Sequence, residues 1–289
     1  MPLFRRFDGT PVPNLPATRR IMPFLMPTKT ESLVYFRQVL DVTSTLAFLE
    51  CRNAERAGRP KATLFHVYLF AAARAINERP GLNRFISGRR IWQRNAVWIS
   101  FSAKKELVDG SPLVVLKRRF DPGMTFDAFV EEVSASLRDG RSDKRSHVDK
   151  ELGLFLALPG PLLALGVRIV AKLDAWNLLP RSFLEPDPMY ASLFVANLGS
   201  VRLDAAYHHL YEYGTISIFA VMGRKHTLAD GRTECEIKYT FDERIEDGLY
   251  CATSLERLKT LVESPEVLLT EPLPSYLPGT REMPTVVKD

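Results

Sequence analysis

The sequence predicts a mixed α/β fold in which helices cover a central sheet of both parallel and antiparallel strands. Segments with helical and with strand periodicity alternate along the 289 residues. The strands come as hairpins as well as singly, which favours a mixed sheet over a doubly wound parallel one. Hydrophobic residues make up 46% and charged residues 25% of the chain, which is typical of a globular protein with a sizeable core.

The two ends of the chain differ from its middle. Residues 1–17 and 271–289 are rich in proline and lack periodicity, so they predict an extended N-terminal arm, lying on the domain or on a neighbouring subunit, and a C-terminal tail. Residues 18–270 form the predicted domain. Because no apolar run follows the first arginines, we expect no signal peptide and a cytoplasmic location.

The first half of the domain alternates helix and strand. TRRIMPFLMPTK has helical potential, VYFRQVLDV has strand character, and STLAFLECRNAERAG predicts a helix capped by Ser44 or Thr45. LFHVYLFAAARAINE is apolar on most faces, which predicts a helix over residues 64–78 that is buried on several sides. NAVWISFSAKK and SPLVVLKR flank the turn-forming VDGS and predict a hairpin.

The second half continues with helical and hairpin patterns. TFDAFVEEVSASLR has helical spacing. SIFAVMGRKHTL and TECEIKYTFDE flank an Ala-Asp-Gly turn, which again predicts a hairpin. ATSLERLKTLVESPEVLL predicts the last helix of the domain.

Residues 152–180 are the most hydrophobic part of the domain. Pro159, Gly160 and Pro161 interrupt the run, and Arg168 and Lys172 fall in its second half, so two short helices are favoured over one membrane-spanning helix. We expect this pair to cover one face of the sheet. The alternatives are that it lines a tunnel for a long acyl group or docks on a membrane or a partner, and membrane association is the less favoured of these.

Charge and cysteine usage exclude several functions. The net charge of +5 is dispersed among acidic residues, which favours a solvated surface, and no nucleic-acid partner is expected. The three cysteines lie far apart and form no CxxC pair, so neither a disulfide framework nor a metal site is predicted. No phosphate loop and no GxGxxG segment is present.

Five segments, in order, resemble one family. TRRIMPFLMPTK, LFHVYLFAAARAINERPGLN, FSAKKELVDGSPLVVLKR, FVANLGSVRLDAAY and FDERIEDG with its following helix are similar to the catalytic domain of dihydrolipoyl acyltransferases of 2-oxo acid dehydrogenase complexes. That family belongs to the chloramphenicol acetyltransferase-like superfamily. The resemblance implies a homotrimer with active sites between subunits, where acyl-CoA enters from one side and the acceptor, a small molecule or an acyl carrier, from the other.

The family signature, Asp-His-Arg-x-x-Asp-Gly, carries the catalytic base. Its histidine removes a proton from the acceptor, and the resemblance places Glu243 at that position. Arg244 and Gly248 match the signature and are assigned to the substrate site, whereas Asp247 matches a structural aspartate that would pair with Arg19 or Arg20. A glutamate is a good base near neutral pH only when its surroundings raise its pKa.

The end of the FVANLGS strand carries the second departure. A serine hydroxyl of the family donates a hydrogen bond to the tetrahedral oxyanion, and Ala196 occupies its position here. Asn197 and Gly199 match the residues that follow; the Asn197 amide or a backbone N–H is the expected substitute donor, and Ala196 and Gly199 are expected to line the substrate site. Loss of such a donor typically slows a reaction by about two to three orders of magnitude.

Two functions therefore remain open from the sequence. One is an acyl-CoA-dependent transferase with an atypical site, which uses Glu243 or a relocated base from His208 and His209. The other is a catalytically inactive relative, a pseudoenzyme that acts as a trimeric scaffold or binds a ligand. His66 lies in an apolar helix and is expected to be a core residue, while His147 and His226 are expected at the surface.

Overall fold

The computed structural model describes residues 6–104, 113–141 and 158–275. The strands are β1 (Gly9–Pro11), β2 (Leu33–Asp41), β3 (Arg84–Ser87), β4 (Arg90–Arg94), β5 (Val97–Lys104), β6 (Leu113–Phe120), β7 (Leu193–Asn197), β8 (Ile218–Thr227) and β9 (Thr233–Asp242). The helices are α1 (Ala17–Leu25), α2 (Thr43–Glu55), α3 (Leu64–Glu78), α4 (Phe126–Arg141), α5 (Gly160–Ala175), α6 (Arg181–Leu184), α7 (Gly248–Glu263) and α8 (Glu266–Thr270).

A six-stranded sheet in the order β2-β9-β8-β7-β5-β6 is the centre of the fold. Both predicted hairpins are present as antiparallel pairs, β5 with β6 and β8 with β9. β7 runs parallel to both of its neighbours, β5 and β8. The prediction of a mixed sheet is therefore confirmed, although the turn of the first hairpin lies outside the described residues.

The N-terminal arm joins a second, smaller sheet. β1 pairs with β4, and β4 pairs with β3, in a three-stranded antiparallel arrangement. Arg6 and Asp8 are buried in front of this sheet, where Arg6 Nε donates to Asp8 Oδ1 over 2.8 Å. From Arg6 onward, the described part of the arm lies against its own domain.

The main hydrophobic core lies between the large sheet and the helices α3 and α7. α3 occupies its predicted bounds because its sequence is apolar nearly all round and Thr63 caps its first turn, with the Thr63 hydroxyl and backbone both bonded to His66. We call this side of the sheet its helix-covered face. Tyr68, Phe70 and Ala72 on α3 are 2% exposed or less.

The second face of the sheet is covered by the chain that leads into β8. A smaller cluster forms there from Phe194 on β7, Phe219 and Val221 on β8, and Leu210 and Ile216 from the covering segment. Lys238 Nζ donates to Ala205 O over 2.9 Å and holds that segment on the sheet. The cluster is much smaller than the main core, so the sheet has one deeply buried face and one lightly covered face.

The expectation for residues 152–180 is corrected by the structure. Residues 152–157 lie outside the described part, and α5 follows Pro159 as one helix. α5 does not cover the sheet, because Asp174 near its C-terminal end is its one buried residue. Several of its apolar side chains are exposed, among them Leu162 at 52% and Ile169 at 49%. No helix in the described residues has the length and hydropathy to cross a membrane.

Two helix boundaries also differ from expectation. α2 begins at Thr43, ahead of the predicted caps, since Asp41 Oδ1 accepts from the Thr43 backbone N–H over 3.0 Å. Thr45 lies inside the helix, and its hydroxyl donates to Val262 O over 2.5 Å. The predicted last helix is divided into α7 and α8 at Pro265, whose ring cannot continue the backbone hydrogen-bond pattern.

Candidate functional site

The loop after β9 is fixed by a buried ion pair. Arg244 Nε and Nη2 donate to the two oxygens of Asp242, each over 2.8 Å, and both side chains are almost fully buried. Ser32 Oγ donates to Asp242 Oδ1 over 3.0 Å, and Arg244 Nη1 donates to Met26 O over 2.9 Å. In this chain the Arg244 guanidinium is used to hold the loop, and substrate binding by Arg244 stays a prediction.

Glu243 lies between these two buried residues with its own side chain exposed. The backbone on either side is held firmly, since Glu243 N–H donates to Ser32 O over 2.9 Å and Arg19 Nη1 donates to Glu243 O over 2.7 Å. Among the described residues no hydrogen bond reaches its carboxylate. The chain therefore presents Glu243 outward at a fixed place, and one copy alone does not remove it from water.

Asp247 caps the helix that follows the loop. Its Oδ1 accepts from the Tyr250 N–H over 2.8 Å at the start of α7, and Gly248 is the first residue of that helix, facing open space. The expected ion pair with Arg19 or Arg20 does not form, because Arg19 bonds the Glu243 carbonyl instead. In this chain Asp247 caps α7, a role that the sequence did not predict.

A neighbouring acid in the same loop forms the ion pair. Glu246 pairs with Arg84 at the start of β3, and both side chains are largely buried. Gly81 lies against Glu246 and Tyr250 so closely that an added Cβ would come within 2.8 Å of them. The loop therefore packs directly on the turn between α3 and β3.

The second group of predicted site residues lies at the end of β7. Ala196 is half-buried and packs beside the Phe194 and Phe219 cluster, so it belongs to the second face. Asn197 points the other way along the strand alternation, and its Oδ1 accepts from Ser200 N–H over 3.2 Å. Asn197 thus shapes the turn after β7 and does not share a face with Ala196.

Gly199 is required by packing. A Cβ at this position would lie 2.5 Å from Gly223 O in β8. The glycine allows the turn after β7 to pass directly over β8. Gly199 therefore brings two backbone segments together, and its expected place in a substrate site stays a prediction.

The two halves of the predicted site lie far apart in one chain. Ala196 pairs with Val221, and Val221 pairs with Lys238 in β9. Glu243 follows Lys238 by five residues in the sequence. At about 3.3 Å per residue this separates Ala196 from Glu243 by about 16 Å along the strands, before the spacing between strands is added. One chain cannot bring both residues to a single substrate atom.

His208 belongs to a stack of rings on the second face. The His209, His208, Phe219 and Phe194 rings follow one another with centroid separations of 4.6, 4.0 and 4.8 Å. Burial lowers the pKa of His208, which favours the neutral imidazole. In that form Nδ1–H donates to His209 O over 2.7 Å and Nε2 keeps its lone pair. The sequence indicated His208 as an alternative base, and the structure gives it a suitable tautomer.

The expected core role of His66 is present, and its chemistry is unlike that of His208. His66 is buried, and its Nδ1 lies 2.7 Å from the Thr63 hydroxyl in the cap of α3. Burial, with a smaller contribution from Arg56, lowers its pKa to about 4. His66 is remote in the fold from the loop after β9 and serves the core.

An apolar cavity of about 30 Å³ lies between α3, α7 and the sheet. Tyr68, Ile76, Tyr239 and Leu258 are among its lining residues. A cavity of this size has room for only a few water molecules, so it does not hold an acyl chain. Within the described ranges, no three His, Cys, Asp or Glu side chains are grouped as metal ligands.

The sequence did not indicate the residues that support the loop. Ser32 and Met26 reach the Asp242–Arg244 pair from segments more than 200 positions away, with separations of 210 and 218 residues. Neither belongs to a local motif. Only the pairing of β2 with β9 brings them to the loop, since Leu33 lies opposite Asp242.

Comparison with known proteins identifies the fold. No family model matches the sequence, and no curated protein matches it either. A probable dihydrolipoamide acetyltransferase from Listeria monocytogenes is similar in structure, with a TM-score of 0.57 and 16% identity over 86% of this chain and 93% of that chain. A chloramphenicol acetyltransferase matches with a TM-score of 0.52 and 13% identity over 88% of this chain and 99% of that one.

A third similar structure is an enzyme whose site has been investigated. Dihydrolipoamide acetyltransferase from Azotobacter vinelandii matches with a TM-score of 0.54 and 17% identity over 90% of this chain and 95% of that one. Crystallographic and enzymatic work on that enzyme addressed a serine, a histidine and an asparagine in its catalytic mechanism. The chain described here therefore has the chloramphenicol acetyltransferase-like fold of dihydrolipoamide acetyltransferase catalytic domains.

Proposed function

We propose that this protein is an acyltransferase that moves an acyl group from coenzyme A to an acceptor, at a site completed by a second copy of the chain. The observation that carries the proposal is the separation of Ala196 from Glu243. Each lies at an accessible end of the sheet, and the fold is that of acyltransferases. A neighbouring copy can place its Glu243 against the β7 end of the first chain.

The chemistry assigned to the site is a direct transfer. A base takes the proton of the acceptor thiol or hydroxyl as its sulfur or oxygen attacks the thioester carbonyl. The tetrahedral oxyanion then collapses, the carbon–sulfur bond breaks, and the CoA thiolate leaves and takes up a proton. Glu243 is the proposed base, since a neighbour that covers its exposed carboxylate would desolvate it and make it a stronger base.

The loop geometry supports this assignment of Glu243. A base must keep a fixed position relative to the substrate. The Glu243 backbone is held on both sides, since its N–H donates to Ser32 O and its carbonyl accepts from Arg19 Nη1. Asp242 and Arg244 contribute to the same rigidity from inside the fold. These four residues are proposed to position Glu243 without touching substrate.

The test is release of free CoA thiol from a panel of acyl-CoAs with thiol, amine and alcohol acceptors. We expect turnover that falls by two orders of magnitude or more in Glu243→Gln, which keeps the shape of the side chain and removes its basicity. Glu236→Gln, a change at a surface carboxylate on β9, is the matched control. Turnover unaffected by Glu243→Gln would assign the base elsewhere, with His208 the next candidate.

A second candidate is a catalytically inactive relative that serves as a trimeric scaffold or binds acyl-CoA. The observation that favours it is that Ala196 stands in place of the expected serine and an exposed Glu243 stands in place of the expected histidine. Calorimetric binding of CoA without release of thiol from any acyl-CoA in the panel would support this candidate. Robust turnover lost in Glu243→Gln would eliminate it.

The partners proposed for the enzyme follow from the same assignment. A homotrimer is the expected assembly, and the acceptor is a small molecule or an acyl carrier. Light scattering on the purified protein tests the first point, and the acceptor panel tests the second. A cytoplasmic location remains a prediction from the sequence.

A further inference from the structure

We propose that Ser102 on β5 supplies the side-chain hydroxyl that position 196 lacks, and that it donates a hydrogen bond to the oxyanion. This inference rests on the proposed acyltransferase function and names a further residue of that same site. It depends on where β5 lies relative to β7, and on which hydroxyl groups at that place are free.

The sheet register brings Ser102 beside Ala196. β5 and β7 run parallel, with Ser100 opposite Phe194 and Phe101 opposite Val195. The next step along both strands places Ser102 next to Ala196, on the strand that borders β7. Adjacent strands are about 4.8 Å apart, so the two Cβ atoms are immediate neighbours.

The two side chains also point to the same face. Phe101 and Val195 are fully buried in the main core on the helix-covered face. Because side chains alternate along a strand, Ser102 and Ala196 both point to the second face. Both are half-buried, and Ala196 packs against the Phe194 cluster.

The hydroxyl of Ser102 is available, whereas those around it are not. Ser102 Oγ forms no hydrogen bond within the part of the chain that the structure describes. Ser100 Oγ donates to Pro188 O over 2.7 Å, and Ser200 Oγ donates to Asn197 O over 2.7 Å. Asn197 points to the opposite face, so its amide is a poor substitute at this place.

A hydroxyl at position 102 on β5 can take the place of one at position 196 on β7. A hydroxyl hydrogen bond to an oxyanion spans about 2.5–2.7 Å. An oxyanion lying between β5 and β7 above the second face is within that reach from either strand. The hydroxyl gives only a hydrogen bond, so Ser102 loses no proton and forms no covalent bond during the transfer.

The test exchanges serine and alanine between the two strands. We expect Ser102→Ala to lower kcat about 100-fold with little change in KM, because the bond is made mainly in the transition state. In Ser102→Ala combined with Ala196→Ser, the hydroxyl returns one strand away, and we expect kcat to recover at least tenfold. Ser100→Ala, on the same strand and face, is the matched control and should stay near the wild-type rate.

The outcomes separate this inference from the proposed function. Wild-type turnover that persists in Ser102→Ala would overturn the role of Ser102 and leave the acyltransferase assignment in place. Loss of turnover in Ser102→Ala without recovery in the exchanged pair would also overturn it, because a structural defect gives that result. A wild-type protein without any turnover would overturn both.

Discussion

The pair formed by Asp242 and Arg244 shows how single residues fix the candidate site. Both charges are buried, and each has additional hydrogen bonds from Ser32 or to Met26 O, so neither is left without compensation. Breaking such a pair leaves one charge buried alone, which is far more destabilising than the pair itself is stabilising. The position of Glu243 therefore depends on residues that never reach the surface.

Arg244→Met is expected to lower the free energy of unfolding by about 3–5 kcal/mol, since it leaves Asp242 buried and unpaired. Urea titration followed by circular dichroism measures this. Arg37→Met is the matched control, because it breaks the exposed Arg37–Glu236 pair on β2 and β9, and we expect a far smaller change. Equal losses in the two variants would show that the loop pair is not buried in solution.

His66 makes stability depend on pH. Its folded-state pKa of about 4 is lower than the value of about 6.5 expected in the unfolded chain. The neutral ring therefore contributes its full stability above pH 6.5, and the contribution is lost as the unfolded chain takes up the proton at lower pH. Each pH unit in this window lowers the free energy of unfolding by about 1.4 kcal/mol.

His66→Gln should remove this dependence. Between pH 6.5 and pH 5 the wild type should lose about 2 kcal/mol through this group, and the variant should lose that much less. Glutamine keeps a side chain suited to the third position of the capping box at Thr63. His226→Gln, at an exposed position, serves as the control that retains the wild-type profile in urea titrations at both pH values.

At the scale of elements, α5 is held to the domain mainly by its C-terminal end. Asp174 Oδ1 accepts from Arg6 Nη2 over 2.9 Å, and its Oδ2 accepts from Ser87 Oγ over 2.9 Å. An added Cβ at Gly88 would lie 2.3 Å from Ala175 O, so the β3–β4 turn also presses on the end of this helix. The remaining turns of α5 lie over solvent in one chain.

Asp174→Leu should therefore release α5 from the domain. Without the carboxylate, Arg6 and Ser87 lose their shared acceptor, and the helix loses its one buried polar anchor. We expect trypsin to cleave after Arg168 or Lys172 at least about tenfold faster, as a loss of 1.4 kcal/mol or more implies. Asp230→Leu, which breaks an exposed pair with Arg232, should leave that rate unchanged.

The elements were predicted to very different accuracy, for physical reasons. α3 was predicted to the residue because its sequence is apolar all round and its cap is local. Residues 152–180 are equally apolar, yet α5 is largely exposed. Hydropathy predicts that an apolar surface will be covered, but it does not identify the element or molecule that covers it. For the site, the sequence predicted which positions to consider but not their arrangement. The distance between Ala196 and Glu243 is set by the register of β7, β8 and β9, and no local sequence pattern encodes that register.

At the scale of the whole molecule, the exposed apolar side chains and the separation of Ala196 from Glu243 are both consistent with contact between two copies of the chain. Phe24 and Leu25 on α1 are exposed at 55% and 67%, and Leu249 beside the signature loop is exposed at 72%. Large exposed apolar surfaces on soluble proteins mark contacts with other molecules. A second copy that covers such a surface would also bring the missing half of the site, and symmetric assembly repeats the contact at every interface.

Mixing two inactive variants tests this arrangement directly. Ala196→Phe fills the β7 end of one site half, and Glu243→Gln removes the proposed base from the other, so each variant alone should be inactive. When the two are coexpressed, each interface draws its β7 end and its Glu243 from different chains, and about one quarter of interfaces combine two intact halves. We expect about a quarter of the wild-type rate of CoA release in the coexpressed sample.

Variants that are purified separately and mixed without exchange of subunits provide the control and should remain inactive. Coexpressed samples that also remain inactive would place both halves of the site within one chain, which the sheet register opposes, whereas a Glu243→Gln variant that is active by itself would show that Glu243 has no part in the reaction.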